Sequence, residues 1–322
     1  MSNQPIRILI DTDPGIGSPG ADVDDGVAIL LALASPEVEV IGLTTVAGNV
    51  PCDTGSKNIV DLMRKIGRTG IPVARGCSVP MGRRSQLLVE REKGRNFEPL
   101  DPEYVSSLHP LPGVDFLIEA VRQASEPLTV VAIGPLTNLG MALIKEPAIA
   151  GRIGQIVMMG GAADGGSITA AAEFNLFNDP EAADVVFRSG IPLTMVGLDI
   201  TTSVRIHEPD LARWRDSDSP VVRSLYQNAV AWMNYRWTVR GEEDAGCYFH
   251  DAMAVAYLLD RSLFQSLACH ADIELAGAFT RGMTVVDRRR NSKQPCNVNL
   301  ITRIESERFV KMTVERIAAV FG

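Results

Sequence analysis

The chain has 322 residues, 46% of them hydrophobic and 22% charged, enough to bury a large core. A formal charge of −8 and a pI near 5.2 argue against non-specific binding to nucleic acid or to an anionic membrane. Five cysteines, Cys52, Cys77, Cys247, Cys269 and Cys296, are scattered without a CxxC pair, which predicts free thiols in a reducing compartment.

The amino end, MSNQPIRILIDTD, shows no basic segment leading into an apolar run and a cleavage site. No stretch stays apolar for the length of a membrane span, so a cytoplasmic location is expected. IRILI (6–10) reads as a first strand that ends in the polar run Asp11, Thr12, Asp13, Pro14, Gly15. A helix is predicted from Asp24 and Asp25 through GVAILLALAS. VEVIGLTTVAG (38–48) follows as a second strand, then a helix over 54–66 and a short strand, IPVARG (71–76). Residues 78–112 are irregular and rich in arginine; they predict a solvated loop, with a mobile lid as the second reading. LTVVAIG (128–134), IGQIVMMGG (153–161) and IPLTMVGLD (191–199) repeat the form of an apolar run closed by glycine or a polar residue, with helical patterns at 136–145 and 180–188. Apolar strands alternating with helices predict an α/β fold, an open and mostly parallel sheet flanked by helices with a Rossmann-like core.

Further on, 219–239 predicts a long amphipathic helix. Trp232 and Trp237 on it suit a core or an interface, and Tyr226, Trp232 or Tyr235 could instead stack on a flat ligand. HDAMAVAYLLD starts another helix, 271–287 carries strand signals, and ERFVKMTVERIAAVF predicts a terminal helix. With no repeat or long linker, residues 1–322 are expected to form a single domain.

Acids and amides gather where strands end. Asp11 and Asp13 close the first strand, Asp22, Asp24 and Asp25 precede or open the next helix, and Asn49 follows the second strand. Glu173, Asn175, Asn178 and Asp179 follow the strand at 153–161, and Asp251 opens a late helix beside His250. Open α/β sheets bind ligands at those ends, and carboxylates gathered there are costly without a cation. An oxygen-rich set without paired His or Cys suits calcium or magnesium rather than zinc, and the many ligands favour calcium. The simpler alternative is that Asp24 and Asp25 only cap a helix. GIGSPG lacks the GK[ST] of a phosphate-binding loop, and its acidic surroundings oppose phosphate.

The chain resembles the inosine-uridine preferring nucleoside hydrolases. DTDPG (11–15) matches the start of their DxDPGxDD signature, with the DD pair displaced to Asp24 and Asp25 by an insertion, IGSPGADVDDG. TTVAGN (44–49), GPLTN (134–138), MGG (159–161), AEFNLFNDPEAA (172–183) and HDAMAVAYLLD (250–260) follow in family order. The resemblance implies a nucleoside hydrolase-type fold, calcium-dependent hydrolysis of ribonucleosides to ribose and free base, and a homodimer or homotetramer. It implies that Asp13 is calcium ligand and general base, that Asp25, Asp251 and the Ile133 carbonyl complete the calcium site, and that Asp24 holds a ribose hydroxyl. Asn49, Glu173 and Asn175 would contact the ribose, Met159 would pack under it, and Phe174 would join the substrate-binding set. Ser167 stands where the family often has an asparagine near the 5′-hydroxyl, and its reach is shorter. His250 would assist the leaving base.

Two other classes are consistent with parts of this pattern. DTD after a first strand suits a metal-dependent phosphohydrolase, although Pro14 and Gly15 and the lack of a downstream Lys–Asp block count against it. A non-catalytic ribose or nucleoside binder would share the pocket but not need the base Asp13.

Overall fold

The computed structural model describes residues 4–18, 21–82, 100–239, 241–243 and 246–322. Among the described residues, nine strands form one sheet: β1 (Ile6–Thr12), β2 (Val38–Thr45), β3 (Val73–Arg75), β4 (Leu128–Ala132), β5 (Ile153–Met159), β6 (Leu193–Val196), β7 (Phe264–Ile273), β8 (Thr284–Asp287) and β9 (Val298–Ile304). Their order is β3-β2-β1-β4-β5-β6-β9-β7-β8. From β3 to β9 every pairing is parallel; β7 runs antiparallel to β9 and β8. The α/β, mostly parallel architecture read from the sequence is therefore correct.

Alternation along the strands divides the core between the two faces. Ile8, Ile10, Val131, Val157 and Met159 pack on one face, and Leu9, Val130, Ala132, Ile156 and Met158 on the other. The first face is covered by the helices Asp24–Leu33, Cys52–Lys65, His250–Leu259 and Ser306–Phe321, the second by Gly113–Gln123, Thr137–Lys145 and Pro180–Phe187. Asp24–Leu33 and His250–Leu259 pack against each other and are apolar almost all round, as helices with little solvent contact must be. Among the described residues, no helix is long and apolar enough to cross a membrane.

Three elements differ from the sequence reading. Residues 83–99, the centre of the expected loop or lid, lie outside the described residues, and a short helix, Pro102–Ser107, follows them. The strand signal at 271–287 belongs to two strands: β7 begins earlier, at Phe264, in a half whose side chains are largely exposed. β9 escaped notice because exposed Thr302 and Arg303 interrupt its apolar pattern.

The chain leaves β1 toward β2 and β3 on one side, then returns to place β4 on the other. This reversal opens a crevice at the carboxyl ends of β1 and β4. Asn138 ties its walls together: its amide donates to Asp11 Oδ1 at 2.7 Å and to the Thr45 carbonyl at 2.9 Å, and its oxygen accepts the Cys77 N–H at 2.8 Å. Thr44, paired with Asp11 in the β1–β2 register, donates to the same Asp11 oxygen at 2.5 Å. Asn138→Ala should strand these buried partners and destabilise the fold by about 2–4 kcal/mol, read as a lowered denaturation midpoint with unchanged m-value.

Candidate active site

Asp13 stands one residue past β1, fully buried. Its Oδ2 accepts the Asn49 N–H at 2.6 Å, and its Oδ1 has no hydrogen-bond partner among the described residues. Two motif glycines make room for this carboxylate: a Cβ on Gly48 would run into Asp13 Oδ2, and one on Gly134 would sit 3.0 Å from Oδ1. TTVAGN and GPLTN thus need glycine because a carboxylate lies where their side chains would go.

Asp24 and Asp25 open the helix Asp24–Leu33, and Asp251 lies in the first turn of His250–Leu259. Both helices direct their amino ends, which favour negative charge, at the same point. One carboxylate oxygen from each of Asp24, Asp25 and Asp251 falls within 4.8 Å of the others. Asp25 accepts from the Thr12 hydroxyl, and the Asn49 side-chain amide reaches its Oδ2 at 3.5 Å. Neither helix amino end has a capping side chain, so capping does not account for these acids.

Burial raises the pKa of every acid here. Asp13, Asp24 and Asp251 are pushed well above the ordinary carboxylate value, first by desolvation and then by the neighbouring carboxylates. Desolvation lifts Asp25 and Asp11 to about 6, against hydrogen bonds from Thr12 to the first and from Thr44 and Asn138 to the second. Asp22 rises to about 7, again chiefly by burial. His250 shifts the other way, to about 3, through burial and then the charge of Arg236.

A cavity of about 320 Å³ lies above this cluster. The structure brings ten of the twelve sequence-predicted site residues to its wall: Asp24, Asn49, Ile133, Met159, Ser167, Glu173, Phe174, Asn175, His250 and Asp251. Asp13 and Asp25 do not line it; they sit behind Asn49, which contacts both. Asn175 donates to the Ile133 carbonyl at 3.1 Å and to the Met159 carbonyl at 3.2 Å, fixing both. Glu173 accepts the N–H groups of Gly161, Asn175 and Leu176, the last two in the helix it caps. Ser167 Oγ accepts the Phe174 N–H at 3.1 Å.

The insertion after Gly15 turns at Ser18, whose N–H donates to the Gly15 carbonyl at 2.8 Å, with Gly17 at a positive φ of 74° that suits glycine. Asn58, on the helix Cys52–Lys65, binds the Pro14 carbonyl at 2.9 Å and Ser18 Oγ at 3.3 Å. The described part of the loop thus rests against that helix, and its last residues bring Asp22 to the cavity wall.

The sequence reading did not single out Arg236, Tyr248, Leu198, Thr202 or Ile168, which also line the cavity. Arg236 donates to the Gly246 carbonyl at 2.8 Å, pairs with Glu242, and lies 4.5 Å from the Tyr248 ring centre. A signal for it existed: Arg236 stands four residues after Trp232 on one helix, so both share a face. His250 Nδ1 is 2.7 Å from Thr201 Oγ1.

The donors at the floor are all oxygens, and Asp13 Oδ1 and Asp24 Oδ1 are buried without a partner among the described residues. Such oxygens cannot stay ionised without compensating charge, and their chemistry fits a hard divalent cation. Asp24, Asp25 and Asp251 can hold a metal ion.

Solved structures of nucleoside hydrolases match the chain nearly end to end. The purine-preferring ribonucleoside hydrolase from Gardnerella vaginalis superimposes with a TM-score of 0.84 at 31% identity, over 98% of each chain. A plant nucleoside hydrolase does so with a TM-score of 0.82 at 30% identity, over 98% of this chain and 99% of its own. Residues 8–311 match the model of the inosine-uridine preferring nucleoside hydrolases. The pyrimidine-specific ribonucleoside hydrolase RihA of Photobacterium profundum is 37% identical over 97% of this chain and 98% of its own. The chain belongs to the inosine-uridine preferring nucleoside hydrolase family, and it is an enzyme that hydrolyses the N-glycosidic bond of ribonucleosides.

The raised acids predict how the metal-free protein responds to pH. Asp11, Asp25 and Asp22 keep their protons in the folded state up to about 6, 6 and 7, whereas the unfolded chain releases them near pH 4. The folded state binds more protons in that window, so this stabilisation is full below about pH 4 and lost as pH rises toward 7. Metal-stripped protein should show a Tm that falls from about pH 4 to 7, and excess calcium should remove the fall. Differential scanning calorimetry with and without calcium checks this; a metal-free Tm rising through that range would contradict it.

Proposed function

We propose that the chain hydrolyses ribonucleosides with calcium, and that Asp13 is the general base. The observation that carries this reading is Asp13 itself: one oxygen is fixed by the Asn49 N–H and the other is left without a partner beside three further carboxylates. Asp13, Asp25, Asp251 and the Ile133 carbonyl are the groups that would hold calcium, which supplies positive charge to offset the carboxylates and to favour binding of sugar hydroxyls and water.

The remaining steps belong to side chains. Asp24, Asn49, Glu173 and Asn175 bind the ribose hydroxyls, and Met159 supplies an apolar floor under the ring. Ser167 and Phe174 close the 5′ end; Ser167 Oγ already accepts the Phe174 N–H, and its own hydroxyl hydrogen remains to donate to the sugar. Fixing the sugar places C1′ for attack by a water, whose proton passes to Asp13 Oδ1 as the C1′–N bond breaks. Positive charge developing on the sugar is favoured by the acidic floor. The bonding electrons leave with the base, which takes up a proton.

His250 assists at that last point. At the pKa set by burial it is neutral, so it acts as a hydrogen-bond donor and not as a standing imidazolium. When the Thr201 hydroxyl donates to Nδ1, the ring proton sits on Nε2 and can point to the departing base.

The decisive test is ribose release from inosine, uridine, cytidine, adenosine and guanosine by calcium-loaded and metal-stripped protein. Turnover with calcium and its loss on stripping are expected. Asp13→Asn should lower kcat by about 10²–10⁴-fold with its fold retained; near-normal turnover would remove Asp13 as the base. His250→Ala should slow purine nucleosides more than p-nitrophenyl riboside, whose leaving group needs no proton. Equal losses on the two substrates would rule out leaving-group assistance.

A further inference from the structure

The insertion gives this chain a second group of cation donors. Asp22 lies on the cavity wall with Asp24 and His250, and one donor atom from each of the three falls within 4.8 Å of the others. We propose that Asp22, Asp24 and His250 form a second divalent-cation site, distinct from the all-oxygen site at the floor and suited to a borderline metal such as zinc.

Two features of the donors support it. Asp24 is 4% exposed, and its Oδ1 has no hydrogen-bond partner among the described residues. Asp24 also belongs to both donor groups, so it lies between the floor and the wall. The second observation is how His250 is held. Nδ1 is 2.7 Å from Thr201 Oγ1, and that hydroxyl is also 3.2 Å from the Leu198 carbonyl. With the Thr201 hydrogen turned to Leu198, His250 Nδ1–H donates to Thr201 and Nε2 carries a free lone pair. A ligating histidine is commonly oriented in this way, by a hydrogen bond from its other ring nitrogen.

The donor set then decides the metal. Two carboxylates and an imidazole, with a position open to the cavity, suit zinc better than calcium, which prefers six to eight oxygens. Asp22 Oδ1 already accepts the Val23 N–H at 2.7 Å, which fixes that carboxylate at the wall. His250 serves either role according to the Thr201 hydroxyl: turned to Leu198 it frees Nε2 for a metal, and turned to Nδ1 it leaves Nε2 a donor to a base. An ion here would occupy part of the cavity, so zinc should compete with nucleoside. That consequence rests on the proposed reaction, whereas binding of the ion does not.

The test is titration of calcium-saturated protein with zinc by calorimetry, with metal content counted after dialysis. Wild type should take up one zinc per chain without releasing calcium. Asp22→Asn keeps an oxygen to accept the Val23 N–H but loses the charge, and should bind that zinc about 10- to 100-fold more weakly. Thr201→Val, which deprives His250 of its partner, should weaken it by about 10-fold, and circular dichroism checks that both variants fold. With cobalt as the probe, wild type should show a visible absorption band that Asp22→Asn lacks. Zinc displacing calcium one for one, or bound equally by wild type and Asp22→Asn, would overturn the proposal. If no nucleoside is hydrolysed at all, the reaction reading fails while the zinc result still stands or falls alone.

Discussion

Mutual repulsion among buried carboxylates governs this molecule. Asp11, Asp13, Asp24, Asp25 and Asp251 are all at most 4% exposed. Each would escape to water if its element could move, because desolvation costs an unpaired charge several kcal/mol. They stay because their backbones belong to elements fixed by large apolar contacts. β1 and the residue directly after it carry the first two, and two helices packed on each other carry the rest. The hydrophobic core supplies the force that holds this electrostatically unfavourable arrangement, and the arrangement in turn creates demand for a cation.

Within the group the acids differ in what surrounds them. Asp11 Oδ1 accepts from Thr44 and Asn138, and its function is to join β1, β2 and the turn after β4. Asp13, two residues on, points to the same end of the sheet and, like Asp11, keeps one oxygen without a partner among the described residues, but it lies beside the carboxylates of Asp25 and Glu173. Strand alternation puts their intervening neighbour, Thr12, on the opposite side, where it donates to Asp25. One tripeptide thus provides a structural acid, a donor that orients a second acid, and the acid proposed as the base. Gly48 and Gly134 complete the arrangement by leaving space, since any side chain at either position would press on Asp13.

Much of this was legible because the relevant chemistry is local. Asp13, Asn49, Ile133 and Met159 all follow or end apolar strands, and the switch-point rule brings strand ends together whatever the intervening sequence. Asp24, Asp25 and Asp251 were legible as helix-opening acids. Arg236 had only its spacing from Trp232 as a signal, and Tyr248 had none. Arg236 reads as one cation on a mixed-polarity helix, and only the chain's return at Gly246 shows that it is buried against that carbonyl, Glu242 and Tyr248. Asn138 was noticed as part of a motif, yet its role depends on three partners at residues 11, 45 and 77. Contacts between residues so far apart leave no periodic trace in a single sequence.

The insertion after Gly15 shows how such a site tolerates change. Sequence spacing alone suggests that moving the DD pair from the signature would shift Asp24 and Asp25 away from Asp13. Their position, however, is set by the helix they open, which packs against β2 and against the helices His250–Leu259 and Ser306–Phe321. The Thr12 hydroxyl still reaches Asp25, and Asn49 still contacts both Asp13 and Asp25. The described residues up to Ser18 rest against the helix Cys52–Lys65, where Asn58 binds the Pro14 carbonyl and Ser18. What the insertion changes is the wall: it adds the carboxylate of Asp22 beside Asp24 and His250. A loop can therefore alter what the cavity binds without disturbing the acids beneath it, because the two are fixed by different parts of the fold.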